Sequence, residues 1–391
     1  MMPRSLFVRL SLMLVLQFFV WGCWYVTAGV YLRKSLSFTG GEVGWVYACP
    51  GIAAIVMPFL VGRLADKYFP IERILSVLHA LAGCALIGAA QAQNFEQFFP
   101  FILINALCYQ PTMSLAISMC FYHQVEGADQ FPKIRLWGTL GWITGGILVS
   151  LMSWENSPMP MYAAAIVSFV MSAYCLTLPS AVPLGKETSR TDVILMLKNR
   201  SLIYLFIAMF FMMIPSSFYY SFVNPFLVDQ GVEYPTAKMS LGQISEIAVL
   251  FFLPQIVSRL KIRTIITIGF GVWGARYLLF LLPKDTFELS YLFALSLHGV
   301  AFCFSALTAQ IYVNKIGGAT MRATAQGAYS FVVMGLGTMV GSFIAGNVVD
   351  ISTSDVTDNT SWSLVWAFAG FFGVATSLVF YLTSKDRLKE A

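Results

Sequence analysis

Leu10 to Leu32 reads LSLMLVLQFFVWGCWYVTAGVYL, 23 residues without a charged side chain. A helix rises about 1.5 Å per residue, so roughly 20 apolar residues cross the hydrocarbon core of a bilayer. This stretch is long enough. Comparable stretches follow near 43–62, 74–92, 98–121, 137–154 and 160–178, and again near 202–227, 239–257, 264–282, 289–313, 323–349 and 362–383. The expected fold is an all-α integral membrane protein with twelve transmembrane helices. Of the 391 residues, 58% are hydrophobic and 11% charged, and mean hydropathy is +0.74. A soluble domain carries about 25% charged residues. Twelve spans and their loops leave no room for a soluble catalytic domain or a nucleotide-binding cassette, so any driving force must be an ion or solute gradient.

Arg4 and Arg9 precede the first apolar run as the basic region of a secretory signal would. The run is too long for that and lacks a small-x-small cleavage site, so it reads as a span. All seven cysteines fall inside expected spans, none in a C-x-x-C or Cys/His metal spacing. The three histidines, His79, His123 and His298, form no pattern with a nucleophile. No cofactor, metal or enzymatic activity is expected.

Lys and Arg fix the orientation. Nineteen fall on the N-terminus, the C-terminus and alternate loops, and four (Arg33, Lys34, Lys238 and Lys284) on the opposite face. Both termini are therefore expected in the cytoplasm, with the chain multi-pass in the cell inner (plasma) membrane. The formal net charge of +5 reflects these loops, and no nucleic-acid partner is expected.

The longest polar stretch, Pro179 to Ser201, divides the chain into an N-terminal six-helix bundle (1–178), a cytoplasmic linker (179–201) and a C-terminal six-helix bundle (202–391). The halves echo one another: Pro58-Phe-Leu-Val-Gly-Arg-Leu64 ends the second span and Pro254-Gln-Ile-Val-Ser-Arg-Leu260 the eighth. A six-plus-six repeat is the trace of a transporter whose site lies between its halves near the midplane. Prolines within spans (Pro50, Pro111, Pro215 and Pro225) add kinks, tolerated where neighbours or cavity water satisfy the freed carbonyls.

Of 19 acidic residues only Glu246 lies deep inside a span. A charge at the bilayer centre costs about 2.5–3.5 kcal/mol even on the mildest scale, so Glu246 should face a cavity, a partner or a proton. Coupling of proton or solute is one reading; a structural ion pair with Arg276, the one mid-span cation, is the other. Gln243 shares its helical face, three residues away, and the pair suits a polar, hydroxyl-rich or nucleobase-like solute. His298 and Phe302 share a face of the tenth span. Gln17, Trp21 and Trp24 on the first span, and Phe218-Tyr219-Tyr220 on the seventh, read as packing or interfacial aromatics or as ligand contacts. Arg135 enters the fifth span with Thr139 and Trp142 near its face, as a cytoplasmic anchor or a solute ligand. Gly62-Arg63-Leu-Ala-Asp66-Lys67, with Arg73, sits at the cytoplasmic boundary, where a carboxylate among cations can close that face by charge-assisted bonds. It resembles the G-x-x-x-D-[RK] signature of the major facilitator superfamily, without the usual Gly-Arg continuation.

Several longer runs occur in order: Gln17-Phe-Phe-Val-Trp-Gly-Cys-Trp24, Gly51-Ile-Ala-Ala, Ala65-Asp-Lys67, Ile104-Asn-Ala-Leu-Cys-Tyr-Gln-Pro-Thr112, Phe131-Pro-Lys-Ile-Arg-Leu-Trp-Gly-Thr-Leu-Gly141, Gln243-Ile-Ser-Glu246 and Arg322-Ala-Thr-Ala-Gln-Gly327. From Leu10 to Tyr381 the chain resembles the nucleoside:proton symporters of the major facilitator superfamily. That resemblance implies alternating access around a central polar cavity, proton-coupled nucleoside import, and site roles for Arg135, Thr139, Trp142, Gln243, Glu246 and Phe302. It implies a small-molecule substrate, a proton and the lipid bilayer as partners, and a monomer.

There are departures. Ser217 and Tyr220 stand where better-known members have Gln and Asn, His298 aligns with a Tyr, and Cys303 with an Asp. Ser217, Tyr220 and His298 join the expected solute-contacting set, and the chain looks closer to a less characterised branch whose seventh span reads Pro-x-x-Phe-Tyr-Tyr. A proton-coupled sugar or modified-nucleoside transporter is the nearest rival, separated by which solutes compete for uptake. A transporter-like solute receptor is the rival from another class.

Overall fold

The computed structural model describes residues 3–123, 131–182, 199–282, 288–354 and 359–385. The described backbone is almost wholly helical, apart from one isolated bridge between Thr353 and Thr360. The helices are α1 (Arg4–Trp24), α2 (Ala28–Lys34), α3 (Gly40–Lys67), α4 (Ile71–Gln91), α5 (Phe95–Tyr122), α6 (Phe131–Leu151) and α7 (Met159–Cys175). After them come α8 (Arg200–Asp229), α9 (Pro235–Met239), α10 (Leu241–Arg259), α11 (Ile262–Leu279), α12 (Glu288–Ser296), α13 (His298–Phe302), α14 (Thr308–Ser330), α15 (Thr338–Ile351) and α16 (Trp362–Thr383). Two π-helical segments, Cys303–Leu307 and Phe331–Gly337, interrupt the run from α13 to α15.

Ten segments among the described residues are long and apolar enough to cross a membrane. The shorter α7 is apolar too, and α11 carries Arg263 and Arg276; both coincide with stretches read as spans. Large apolar side chains face outward, among them Phe251 (73% exposed) and Leu289 (72%), as expected where the solvent is lipid. Two local expectations change. The loop expected around Lys315 and Arg322 has helical backbone within α14, where Ala, Met, Arg and Gln favour helix over turn. Most of the expected linker, residues 183–198, lies outside the described residues.

The chain clusters into two compact units, Met1–Phe38, Ile52–Lys186 and Leu227–Ala237 in the first, and Thr39–Gly51, Glu187–Phe226 and Lys238–Ala391 in the second. In the first unit α1 lies against α6 at backbone distance: a Cβ on Gly22 would stand 2.6 Å from the Trp142 carbonyl oxygen. Small residues are what allow membrane helices this approach. The α5 N-terminus is capped by Asn94, whose side chain accepts from the Gln97 N–H at 3.0 Å, while Gln97 Oε1 accepts from the Gln93 N–H at 3.1 Å. Lys34 and Asp229 form an ion pair at 2.6 Å.

In the second unit the Asp350 carboxylate caps the first turn of α3. Its Oδ1 accepts from Gly40 N–H and its Oδ2 from Gly41 N–H at 2.7 Å. An anion here satisfies orphan donors and complements the helix dipole. Asp350→Ala is expected to cost about 1 kcal/mol, measured as a thermal midpoint lowered by roughly 2 °C in detergent. An unchanged midpoint would mean that water replaces the carboxylate without loss.

Candidate solute site

In the first unit, α6 presents Arg135, Thr139 and Trp142 one turn apart. Arg135 Nη1 donates to Thr139 Oγ1 at 3.3 Å, and the guanidinium carbon lies 4.2 Å from the Phe18 ring centroid. Trp142 meets Trp21 of α1 edge-on at 5.2 Å, and Trp21 leans on Tyr109 of α5 at 6.3 Å. Trp21 and Trp142 are half-buried, whereas Trp24 is buried. Behind this wall lies a sealed network the sequence did not reveal. Gln17 Nε2 donates to Thr112 Oγ1 at 2.8 Å, Gln17 Oε1 meets His79 Nε2 at 2.8 Å, and His79 Nδ1 meets Ser168 Oγ at 3.1 Å. Gln17 is thus a buried strut between α1, α4 and α5, with both ends of its amide occupied.

The second unit brings together Tyr219 and Tyr220 of α8, Gln243 and Glu246 of α10, Trp273 and Arg276 of α11, and His298 and Phe302 of α13. The approach of α13 to α10 depends on Gly299. Its N–H donates to Ser245 Oγ at 2.9 Å, and any Cβ there would fall 2.5 Å from that oxygen and against the Glu246 backbone. Gly242 performs the same task one turn earlier, where a Cβ would stand 3.0 Å from His298 Cβ and 3.1 Å from Tyr219 Oη.

His298 is the hub of the cluster. Its ring stacks on Tyr219 at 4.6 Å (18° between planes) and on Phe302 at 6.0 Å (14°), with Trp273 edge-on at 5.5 Å and Tyr220 at 6.1 Å. Arg276, wholly buried, reaches His298 Nδ1 with Nη1 at 2.9 Å. Its guanidinium lies 4.2 Å from the Tyr219 centroid, 5.2 Å from Trp273 and 5.8 Å from Tyr277. Cation–π contacts of this kind offset part of the cost of burying the charge. Arg276 is therefore hydrogen-bonded to a histidine, a contact that the sequence did not indicate. Glu246 is half-buried and within electrostatic range of Tyr219 and Cys303. Gln243, 9% exposed, lies one turn away on the same helix.

Ser217, on the same helix as Tyr219 and Tyr220, is buried. Its hydroxyl donates to Met213 O at 2.9 Å within α8 and packs where a Cβ on Gly341 of α15 would come within 2.5 Å. Where α3 ends and α4 begins, Arg63, Lys67 and Arg73 are exposed, and the Asp66 side chain lies outside the described residues. The polar tie resolved there is one the motif did not include. Glu72, 6% exposed, accepts from Ser180 Oγ at 2.7 Å and from Ala181 N–H at 3.0 Å, and Ile71 N–H donates to Ala181 O at 3.1 Å.

The paired helix-borne carboxyl and amide, aromatic walls and buried cation agree with a polar-solute site in a membrane protein. The family model for nucleoside H+ symporters matches residues 4–388. The chain belongs to that family. It is 32% identical to the nucleoside permease NupG of Escherichia coli (strain K12), over 94% of this chain and 93% of NupG. It is 31% identical to the xanthosine permease of the same organism, over 97% of this chain and 96% of the permease. The crystal structure of the nucleoside transporter NupG superposes with a TM-score of 0.88 at 30% identity, covering 97% of this chain and 99% of that one. Membership in this symporter family makes the chain a multi-pass membrane transporter of major facilitator type, not an enzyme.

Proposed function

We propose that this symporter imports a nucleoside together with a proton through alternating access. Glu246 is the proton-linked carboxyl in this reading, and the observation that carries it is the position of that residue: the one acid expected deep in a span, half-buried, beside Gln243 on α10. A carboxyl poised between burial, which favours its neutral form, and nearby cations or donors, which favour the anion, can load and release a proton as access alternates. Gln243, Arg135, Thr139 and Tyr220 hydrogen-bond the solute; Trp142 and Phe302 wall its base; His298 braces Phe302 by stacking. Ser217, held by its own helix, tunes α8 packing. Arg63, Asp66, Lys67 and Arg73 form the cytoplasmic gate.

Twelve spans in two six-helix bundles (1–178 and 202–391, with the 179–201 linker cytoplasmic), both termini in the cytoplasm and a monomer in the plasma membrane complete the reading. The names of the relatives support the solute class, and the excess of Lys and Arg on one face supports the orientation. The test is uptake of labelled uridine by cells lacking their own nucleoside transporters, with unlabelled nucleosides and sugars as competitors. Competition by nucleosides alone is expected. Competition by sugars alone would replace the nucleoside with a sugar.

A further inference from the structure

His79 of α4 is wholly buried in the first unit, with both ring nitrogens engaged: Nε2 meets Gln17 Oε1 at 2.8 Å, and Nδ1 meets Ser168 Oγ of α7 at 3.1 Å. The Thr112 hydroxyl sends its one proton to the Tyr109 carbonyl at 2.6 Å, so its oxygen accepts from Gln17 Nε2 at 2.8 Å. That fixes the amide. Gln17 Oε1 must face the ring, and His79 must carry a proton on Nε2 to meet it. The Tyr109 hydroxyl donates in turn to the Gln17 carbonyl, and the His79 ring meets the Tyr109 ring edge-on at 5.8 Å. Gln17 is therefore held twice, by its side chain and by its backbone. About one helical turn further along α1 stands Trp21, whose ring lies 6.3 Å from Tyr109 and, edge-on, 5.2 Å from Trp142. Gln17, Thr112 and Ser168 are as completely buried as His79, whereas Trp21 and Trp142 are half-buried. The sealed polar network thus ends on two rings that are left partly open. Buried networks rigidify a core when every member is satisfied, and site residues keep their geometry when the shell behind them is locked.

We propose that His79 is a positioning residue for solute binding: it orients Gln17, and Gln17 with Tyr109 holds Trp21 against Trp142, so that the two indoles present one aromatic wall to the nucleobase. The proposal rests on the reading of Trp142 as a wall of the site and adds Trp21 to that wall. Stacking on aromatic rings binds any base by its π-face, so the wall serves purine and pyrimidine nucleosides alike. What it needs is a fixed angle between the rings, and the network supplies it from behind.

Two measurements on the full-length protein in lipid nanodiscs test this. The first is fluorine-19 NMR of protein carrying 5-fluorotryptophan, with the Trp21 signal assigned by its loss in Trp21→Phe. His79→Leu fills the space but leaves Gln17 Oε1 without its donor, and it should displace the Trp21 signal. His79→Gln, whose amide can donate to Gln17 and accept from Ser168, should return the signal towards wild type. Gln17→Met cuts the same link from the other end and should displace the signal as His79→Leu does, which keeps the test open if one variant fails to fold. The second is equilibrium binding of uridine. His79→Leu is expected to weaken it about tenfold, equivalent to about 1.4 kcal/mol, with His79→Gln within about threefold of wild type. In a Trp21→Ala background the same His79→Leu change should cost less than about twofold, because the residue it acts through is gone. An unmoved Trp21 signal in both His79→Leu and Gln17→Met overturns the proposal, as does an equal loss of affinity with and without Trp21. Wild-type affinity in both Trp21→Ala and Trp142→Ala overturns the aromatic wall itself, while the fluorine signal still decides whether His79 positions Trp21.

Discussion

Glu246→Gln is expected to reduce gradient-driven nucleoside accumulation at least about 100-fold, a loss of roughly 2.7 kcal/mol, while sparing exchange of labelled for unlabelled solute. The amide has nearly the same shape as the carboxylic acid and keeps hydrogen-bonding capacity, so solute can still be held. What it loses is the ability to release a proton, the step that ties net movement to the gradient. Exchange needs only the loaded carrier to reorient. Net uptake requires the empty carrier to return, and in a symporter that return follows proton release. The measurement is a pair of rates in one preparation of proteoliposomes, net accumulation and exchange. Equal loss of both would make Glu246 a solute ligand only, and the proton would then need another carrier.

Gly299→Val carries the second large effect. The α13 backbone at this position lies against Ser245 and Glu246 with no room for a Cβ, and Ser245 Oγ accepts the Gly299 N–H at 2.9 Å. A branched side chain must push α10 and α13 apart, and overpacking of this kind costs about 1–3 kcal/mol. The displacement falls on the residues the site uses, since Glu246 is the neighbour on α10 and His298 the one on α13. Both thermal midpoint and solute affinity should drop, affinity by more than tenfold, with Gly299→Ala intermediate. Wild-type affinity in Gly299→Val would show that the α10–α13 distance does not set the site.

Much of this molecule could be read from hydropathy. The apolar runs recur in the helices, and Gln243 with Glu246 lies on one helix as the spacing required. The sequence also marks Arg276 as the lone cation within an apolar run. Its partner was not legible. Sequence gives the height of a residue along its helix, but which neighbour it meets depends on helix rotation and crossing, and these are set by small-residue contacts such as Gly242 and Gly299. Height alone points to Glu246; rotation of α11 brings the guanidinium against His298 and Tyr219. Gln17 shows the same limit. Its spacing with Trp21 and Trp24 suggested one stripe, yet Gln17 faces His79 and Thr112 in the interior while Trp21 meets Trp142. Ser217 was singled out by alignment with a polar position, but a serine in a helix readily donates to a carbonyl one turn back, as this one does to Met213. The π-helical segments at Cys303–Leu307 and Phe331–Gly337 do not follow from the hydropathy pattern; π-bulges often sit at functional sites, and the first begins one residue after Phe302.

The most direct test of the account is accumulation of labelled uridine by purified protein in proteoliposomes, with the outside more acidic than the inside and no other energy source. The account predicts transient accumulation above the external concentration, abolished when a protonophore collapses the pH difference. Uptake that only equilibrates, identical with and without the gradient, would contradict proton coupling and leave a carrier that moves its solute downhill.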